Sequence, residues 1–312
     1  MKVMVTGAAG YIGQPLTEML HTEGHEVLGV DIRPAQHTTE GDIRDLPDHL
    51  FEGVDSIVHL AGVSFAPEWT DADDIIWDAN VEGVRRVLDQ AEQAGVRRFV
   101  LASSASIFEG RSDDLARVDT RPRPVSAYGR SKACAERVVT ASAIPQKVAL
   151  RKGTLCGLGP NPRLDLVLNQ MSLNAVRKGK VFVDGTGDNH RPMLRLSRTV
   201  RNYFHFATTE VPDGSHFFNI CDDNVTVVGI AKGVCQLTGA ELVHREYTGR
   251  PRSYVMRNEA TAGLPLPPEE PIGIDGMVAE VVAEMQAEID RLPQVSTDPR
   301  LDRLEEINRD LR

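Results

Sequence analysis

Met1-Lys-Val-Met-Val-Thr-Gly-Ala-Ala-Gly-Tyr-Ile-Gly13 is the stretch that decides the fold. An apolar strand over 2–6 runs directly into Gly7, Gly10 and Gly13, and the pattern predicts a helix over 11–22. Glycines at this point let a dinucleotide pyrophosphate approach bare backbone, while the helix N-terminus offers free N–H groups and a positive dipole end. Gly7, Gly10, Tyr11, Ile12 and Gly13 are therefore candidate cofactor contacts. Glu26-Val-Leu-Gly-Val30 reads as a second strand, with Asp31 at its end, 18 residues past Gly13. A carboxylate there accepts hydrogen bonds from an adenosine ribose diol and repels a 2′-phosphate, so NAD is expected over NADP. Arg33 weakens that preference and joins the candidate contacts.

The alternation continues outward. Strands are expected at 55–59, 97–102 and 147–150, and helices at 72–94 and 126–142. Short apolar runs bounded by polar residues are the mark of buried parallel strands, so the fold class is α/β, a doubly wound parallel Rossmann sheet. Val81, Val84, Val87, Leu88 and Ala91 form a packing stripe that could also serve a subunit interface. Past Leu150 the pattern changes to helices at 164–178, 197–208, 226–238 and 275–290, with strands at 180–183 and 216–220. This predicts a Rossmann domain over 1–150 and, over 151–312, a smaller mixed α/β substrate lobe, some of whose segments return to the first domain. The proline-rich stretch Gly263–Pro271 reads as a connector, and the charged stretch 299–312 as a docking helix or a frayed tail.

Composition narrows the partners. The chain has 312 residues, 41% apolar and 26% charged, with a net charge of −10. That balance argues against a nucleic-acid or anionic-membrane surface. No leader pattern and no membrane-length apolar run is visible, so a cytoplasmic protein is expected. Cys134, Cys156, Cys221 and Cys235 lack C-x-x-C or zinc spacing and read as reduced thiols, with no metal site expected.

Tyr128-Gly-Arg-Ser-Lys132 carries the chemistry. Tyr and Lys four apart share one helix face, where an ammonium favours the phenolate and lowers the phenol toward neutrality. Such a phenolate takes a proton from a hydroxyl while hydride leaves the carbon. Upstream, Ala102-Ser-Ser-Ala-Ser-Ile-Phe108 places Ser103, Ser104 and Ser106 at the C-terminal edge of a central strand, where ligands bind in open α/β sheets. All three hydroxyls compete to hold the substrate oxygen.

Together with Gly41-Asp-Ile43, His59-Leu-Ala-Gly62 and Asn80-Val-Glu-Gly83, these stretches resemble, in order, the extended short-chain dehydrogenase/reductases of the NAD-dependent epimerase/dehydratase family. The resemblance implies roles. Tyr128 falls on the catalytic base/acid, Lys132 on its ribose-binding partner and Ser104 on the catalytic hydroxyl. Asp42 and Ile43 would flank the adenine, Leu60, Ala61 and Gly62 would line the cofactor, and Asn80 would open a helix that buttresses the active-site strand. In the substrate lobe, Thr154 stands where many nucleotide-sugar enzymes have Asn. Asn169 is implied as a phosphate or sugar contact, and Arg191 and Arg252 (favoured over Arg250) as a diphosphate clamp. The implied partner is a nucleotide-diphosphate sugar, and the implied assembly a homodimer.

The resemblance favours an epimerase that oxidises a sugar hydroxyl to a transient keto-sugar and returns the hydride. An NAD(P)-dependent dehydrogenase or reductase uses the same residues and stays open. A 4,6-dehydratase usually carries Asp-Glu where this chain has Ala105 and Ser106, so only a variant drawing on another acid, such as Glu109, would remain. A cofactor sensor without chemistry would be expected to lose Tyr128 or Lys132.

Overall fold

Val3, Met4 and Val5 are fully buried, because their strand is covered on both faces. The computed structural model describes residues 1–64, 72–111, 114–249, 252–261, 264–267 and 271–292. Arg250, part of the proline-rich connector and the 299–312 stretch lie outside the described residues. The strands are β1 (Lys2–Thr6), β2 (Glu26–Asp31), β3 (Thr38–Glu40), β4 (Ser56–His59) and β5 (Arg98–Ser104). Next come β6 (Leu115–Ala116), β7 (Gln146–Lys152), β8 (Thr154–Cys156), β9 (Lys180–Asp184) and β10 (His190–Arg195). The last are β11 (Gly214–Ile220), β12 (Asp223–Thr226), β13 (Glu241–Arg245), β14 (Val255–Met256) and β15 (Glu259–Ala260).

Eight of them form one sheet in the order β3-β2-β1-β4-β5-β7-β11-β15. Every pairing in it is parallel except β11 with β15. The chain leaves β1 toward β2 and later crosses back to β4, so a crevice opens beyond the C-terminal ends of β1 and β4.

The first helices are α1 (Gly13–Thr22), α2 (Ala72–Trp77), α3 (Gly83–Gln93) and α4 (Ala127–Ala141). They are followed by α5 (Val167–Lys178), α6 (Leu196–Thr208), α7 (Val227–Thr238) and α8 (Ile274–Glu288). Side chains alternate along a strand, so β1 feeds two cores. Val3 and Val5 pack with Leu16 and Leu20 of α1 and Val200, Tyr203 and Phe206 of α6. Met4 packs on the other face with Val84, Val87 and Leu88 of α3 and Ala135 and Val139 of α4. Helices on both faces make the sheet doubly wound.

The expected 72–94 helix is interrupted. A π-helical turn, Asp78–Glu82, separates α2 from α3. Asn80 lies inside that turn, so it does not open a helix. Gly83 follows because a Cβ there would sit 2.6 Å from Ile43 Cδ1. The stripe from Val81 to Ala91 is buried within the chain, so it is not available as a subunit interface. The exposed apolar residues of this layer are Ile75 and Trp77 on α2, at 37% and 44%.

The chain after 150 is shared between two layers. β11 and β15 extend the large sheet, and α6 covers it. The rest builds a β12-β10-β8 sheet and a β13-β9 pair around α5, α7 and α8. Several of these strands escape sequence patterning, since β8 and β12 have only three and four residues. A β14-β6 pair then closes over Phe108 and Tyr254 beside the sheet edge.

Candidate active site

The glycine turn is shaped by contacts that leave no room for side chains. Gly7 has φ +75°, and a Cβ on it would lie 2.6 Å from the Ala61 nitrogen. A Cβ on Gly13 would lie 2.1 Å from the Gly7 oxygen. This holds the start of α1 against the turn. Ile12 precedes the helix, and no side chain caps it or places an acid in its first turn. The Gln14 N–H donates to the Gly10 carbonyl at 3.1 Å and Pro15 carries no N–H, so the first turn leaves the Gly13 N–H for a ligand. Tyr11 points elsewhere: its hydroxyl donates to the Gly157 carbonyl at 2.5 Å.

Asp31 is 7% exposed at the end of β2. Its two oxygens accept from the Ala9 and Arg33 N–H groups, each at 3.0 Å. A carboxylate has about four acceptor positions, so capacity remains for a ribose diol. The Arg33 side chain lies 3.7 Å from the same carboxylate. Asp42 is engaged by Arg44, whose charge-assisted hydrogen bonds hold its carboxyl below the usual range. Ile43 is buried against α3. The bare turn, the uncapped helix start and the spare acceptors of Asp31 fit a dinucleotide.

Leu60, Ala61 and Gly62 leave β4 beside Gly7. Gly62 has φ +149°, and a Cβ there would lie 2.5 Å from Asn80 Oδ1 and 3.5 Å from Lys132 Nζ. Asn80 is fully buried. Its Oδ1 accepts from the Val63 N–H at 2.8 Å, and its Nδ2 donates to the Val63 carbonyl and Ser131 Oγ. Ser131 Oγ donates in turn to the Tyr128 carbonyl. One amide thus ties the loop after β4 to the helix carrying Tyr128 and Lys132.

Ser126 caps α4 by accepting from the Gly129 N–H at 3.0 Å. Gly129 lets the helix start approach the Ser106 carbonyl, 2.7 Å from where a Cβ would be. Tyr128 is thereby brought close enough to Ser104 for that hydroxyl to favour its phenolate. Lys132 Nζ lies 5.8 Å from the Tyr128 ring centroid, as one helical turn requires. The electrostatics differ from the expectation. Burial raises the Tyr128 phenol above its ordinary value, against the pull of the Ser104 hydroxyl and the Arg163 charge. Lys132, 4% exposed, is lowered by desolvation to about 8. Behind it His59 is fully buried and lowered to about 3 by desolvation and the Lys132 charge, so it stays a neutral core residue at physiological pH.

Two expected substrate contacts do not reach the cleft. Ser103 is fully buried and donates to Glu136 Oε1 at 2.5 Å. The alternation of β5 turns it away from Ser104's side. Asn169 is also fully buried, and its amide is used by the Gly157 N–H and by the Gly157 and Arg163 carbonyls. It shapes the 157–163 loop and has no exposed surface to offer a phosphate. Thr154 opens β8 and is half-buried. Arg191 and Arg252 are brought together: Arg191 donates to the His190 and Arg252 carbonyls and lies over the Tyr254 ring at 5.3 Å. Arg252 bonds Glu109 Oε1 at 3.0 Å. The other oxygen of Glu109 accepts from the Ser126 N–H at 3.0 Å.

Two further cations lie close to the site, Arg163 beside Tyr128 and Lys152 in register with Ser104. Arg163 bonds Asp165 and donates to Ser64 Oγ at 2.8 Å. Lys152 ends β7 and donates to the Ser103 carbonyl at 2.9 Å. An adjacent Arg-Lys pair closing a buried apolar strand was the available signal for Lys152. Arg163 had none, since an arginine after a Gly-Pro-Asn-Pro loop reads as a surface charge.

Residues 3–221 match the NAD dependent epimerase/dehydratase family, and the chain belongs to that family. A UDP-glucose 4-epimerase of Streptomyces lividans is 34% identical over 157 residues, 46% of this chain and 47% of that enzyme. The chain thus spans about half the length of that relative. A sterol-4-alpha-carboxylate 3-dehydrogenase, decarboxylating, of Mus musculus is 30% identical over 243 residues, covering 71% of this chain and 64% of that enzyme. Among solved structures, MoeE5 in complex with UDP-glucose and NAD superposes with a TM-score of 0.82 at 28% identity, over 93% of this chain and 100% of that one.

Proposed function

We propose that this protein is an NAD-dependent nucleotide-sugar epimerase acting through a transient keto-sugar. The observation that carries the reading is the grouping of Ser104, at the end of β5, with Tyr128 and with Lys132 one helical turn behind it. Bound NAD supplies hydride acceptance and return at the reacting carbon. Gly7, Gly10, Gly13 and the backbone of Tyr11 and Ile12 cradle its pyrophosphate, and Asp31 takes the adenosine ribose. Asp42 and Ile43 flank the adenine, while Leu60, Ala61 and Gly62 line the cofactor's path.

Ser104 holds the sugar oxygen. Tyr128 removes its proton in the oxidative half and returns it to the ketone from the other face in the reductive half. A raised phenol favours the protonated donor, which suits the second half; Lys132 and Arg163 supply the positive charge the first half needs. Arg191 and Arg252 face the diphosphate. MoeE5, with UDP-glucose and with UDP-glucuronic acid, supports the nucleotide-sugar class. A cytoplasmic homodimer, with α2 and α4 at the interface, belongs to the same reading. No helix among the described residues is long and apolar enough to cross a membrane.

A second reading, a net NAD-dependent dehydrogenase, is favoured by the longer match to the mouse dehydrogenase. Nucleotide released by denaturing the purified protein separates them. The epimerase reading expects about one NAD per chain, because hydride recycled internally needs a retained cofactor. An empty protein that binds NAD reversibly would move the assignment to the dehydrogenase.

A further inference from the structure

Lys152 is the last residue of β7, and its Cα pairs in register with that of Ser104. Paired residues on neighbouring strands send their side chains to the same face of a sheet. The ammonium is therefore delivered next to the hydroxyl that holds the reacting oxygen, and its donation to the Ser103 carbonyl keeps it there. It is not alone. Burial first, then the charges of Lys132 and Arg163, lower Lys152 to about 7, so Lys152 shares its surroundings with two further cations. Arg163 has Asp165 as counter-charge. Among the described residues no carboxylate bonds Lys132 or Lys152, and Glu109 is taken by Arg252 and the Ser126 N–H. A surplus of buried positive charge is costly unless an anion joins it.

The chemistry of the substrate decides which anion. In a nucleotide hexose the diphosphate is on C1, across the ring from C4. The carbon beside C4 is C5, and its substituent is C6. If the carbon is C4, as the similarity to UDP-glucose 4-epimerase suggests, an anion within reach of the oxidised group is a C6 carboxylate. We propose that Lys152 binds the C6 carboxylate of the substrate, so the enzyme acts on nucleotide-linked uronic acids in preference to neutral hexoses. This rests on the nucleotide-sugar reading above.

Calorimetric titration of the NAD-bearing protein with UDP-glucuronate, UDP-glucose and UDP tests it, since the two sugars differ only at C6. The wild type is expected to bind UDP-glucuronate at least tenfold more tightly than UDP-glucose. Lys152→Met should bring the two within about threefold, and Lys152→Arg should keep the preference. Equal binding of the two sugars by the wild type, or an undiminished preference in Lys152→Met, would overturn the proposal while leaving the epimerase reading intact. Failure of the wild type to bind either sugar or UDP would overturn both.

Discussion

Tyr128→Phe is expected to lower turnover by about 10³-fold while leaving NAD affinity within about twofold, since positioned proton transfer contributes on the order of 10²–10⁴. The substitution removes one oxygen. It leaves the ring and the α4 cap formed by Ser126, and it keeps the Asn80–Ser131 link that sets the helix against the β4 loop. No cofactor-facing glycine moves. Stopped-flow turnover with nucleotide sugar, alongside NAD titration of the stripped protein, checks it. A variant that retained more than a tenth of wild-type turnover would show that another group carries the proton. Lys152 would then be the first to examine.

The second large effect is on stability. Glu136 and Arg151 are each 5% exposed and pair between α4 and β7 at 2.8 Å. Glu136 Oε1 also accepts from Arg151 Nε and Ser103 Oγ. Arg151 further donates to the Val118 carbonyl and lies 4.6 Å from the Phe217 ring centroid. Glu136→Ala leaves that guanidinium buried without its counter-charge. Breaking a buried pair from one side costs about 3–5 kcal/mol, which corresponds to a fall in Tm on the order of 10 °C. Arg151→Met in the same background should restore much of the loss, because the unpaired charge goes with it. Calorimetric melting of the two single variants and the double variant measures this. Additive losses would contradict the coupling.

What could be read from sequence follows from where each residue finds its partners. The glycine turn, the strand-helix alternation and the Tyr128–Lys132 spacing are local patterns, and the structure places them beside one crevice. Asn80 shows the limit. Its position was marked, but the π-helical turn around it reflects hydrogen bonds to Val63 and Ser131, 17 and 51 residues away, which no local pattern encodes. Ser103 and Ser104 are adjacent and chemically alike, and strand alternation alone decides that one meets Glu136 and the other Tyr128. Asn169 read as a ligand contact because a polar residue opening a helix is ambiguous until its burial is known. The Tyr128–Lys132 spacing suggests a lowered phenol, but burial of Tyr128 raises it, and the opposing pull comes from Ser104 and Arg163. Lys152 and Arg163 carry little local signal, because a cation's setting depends on what the fold packs around it.

Epimerisation of the kind proposed requires that hydride leave a sugar carbon and return to the same carbon without leaving the protein. UDP-glucuronate deuterated at C4, incubated with the purified protein without added nucleotide, tests it most directly by NMR together with nicotinamide absorbance. The expected product is the C4 epimer with deuterium retained at C4 and no accumulation of NADH. Stoichiometric NADH with an oxidised product, or an epimer carrying solvent hydrogen at C4, would contradict it.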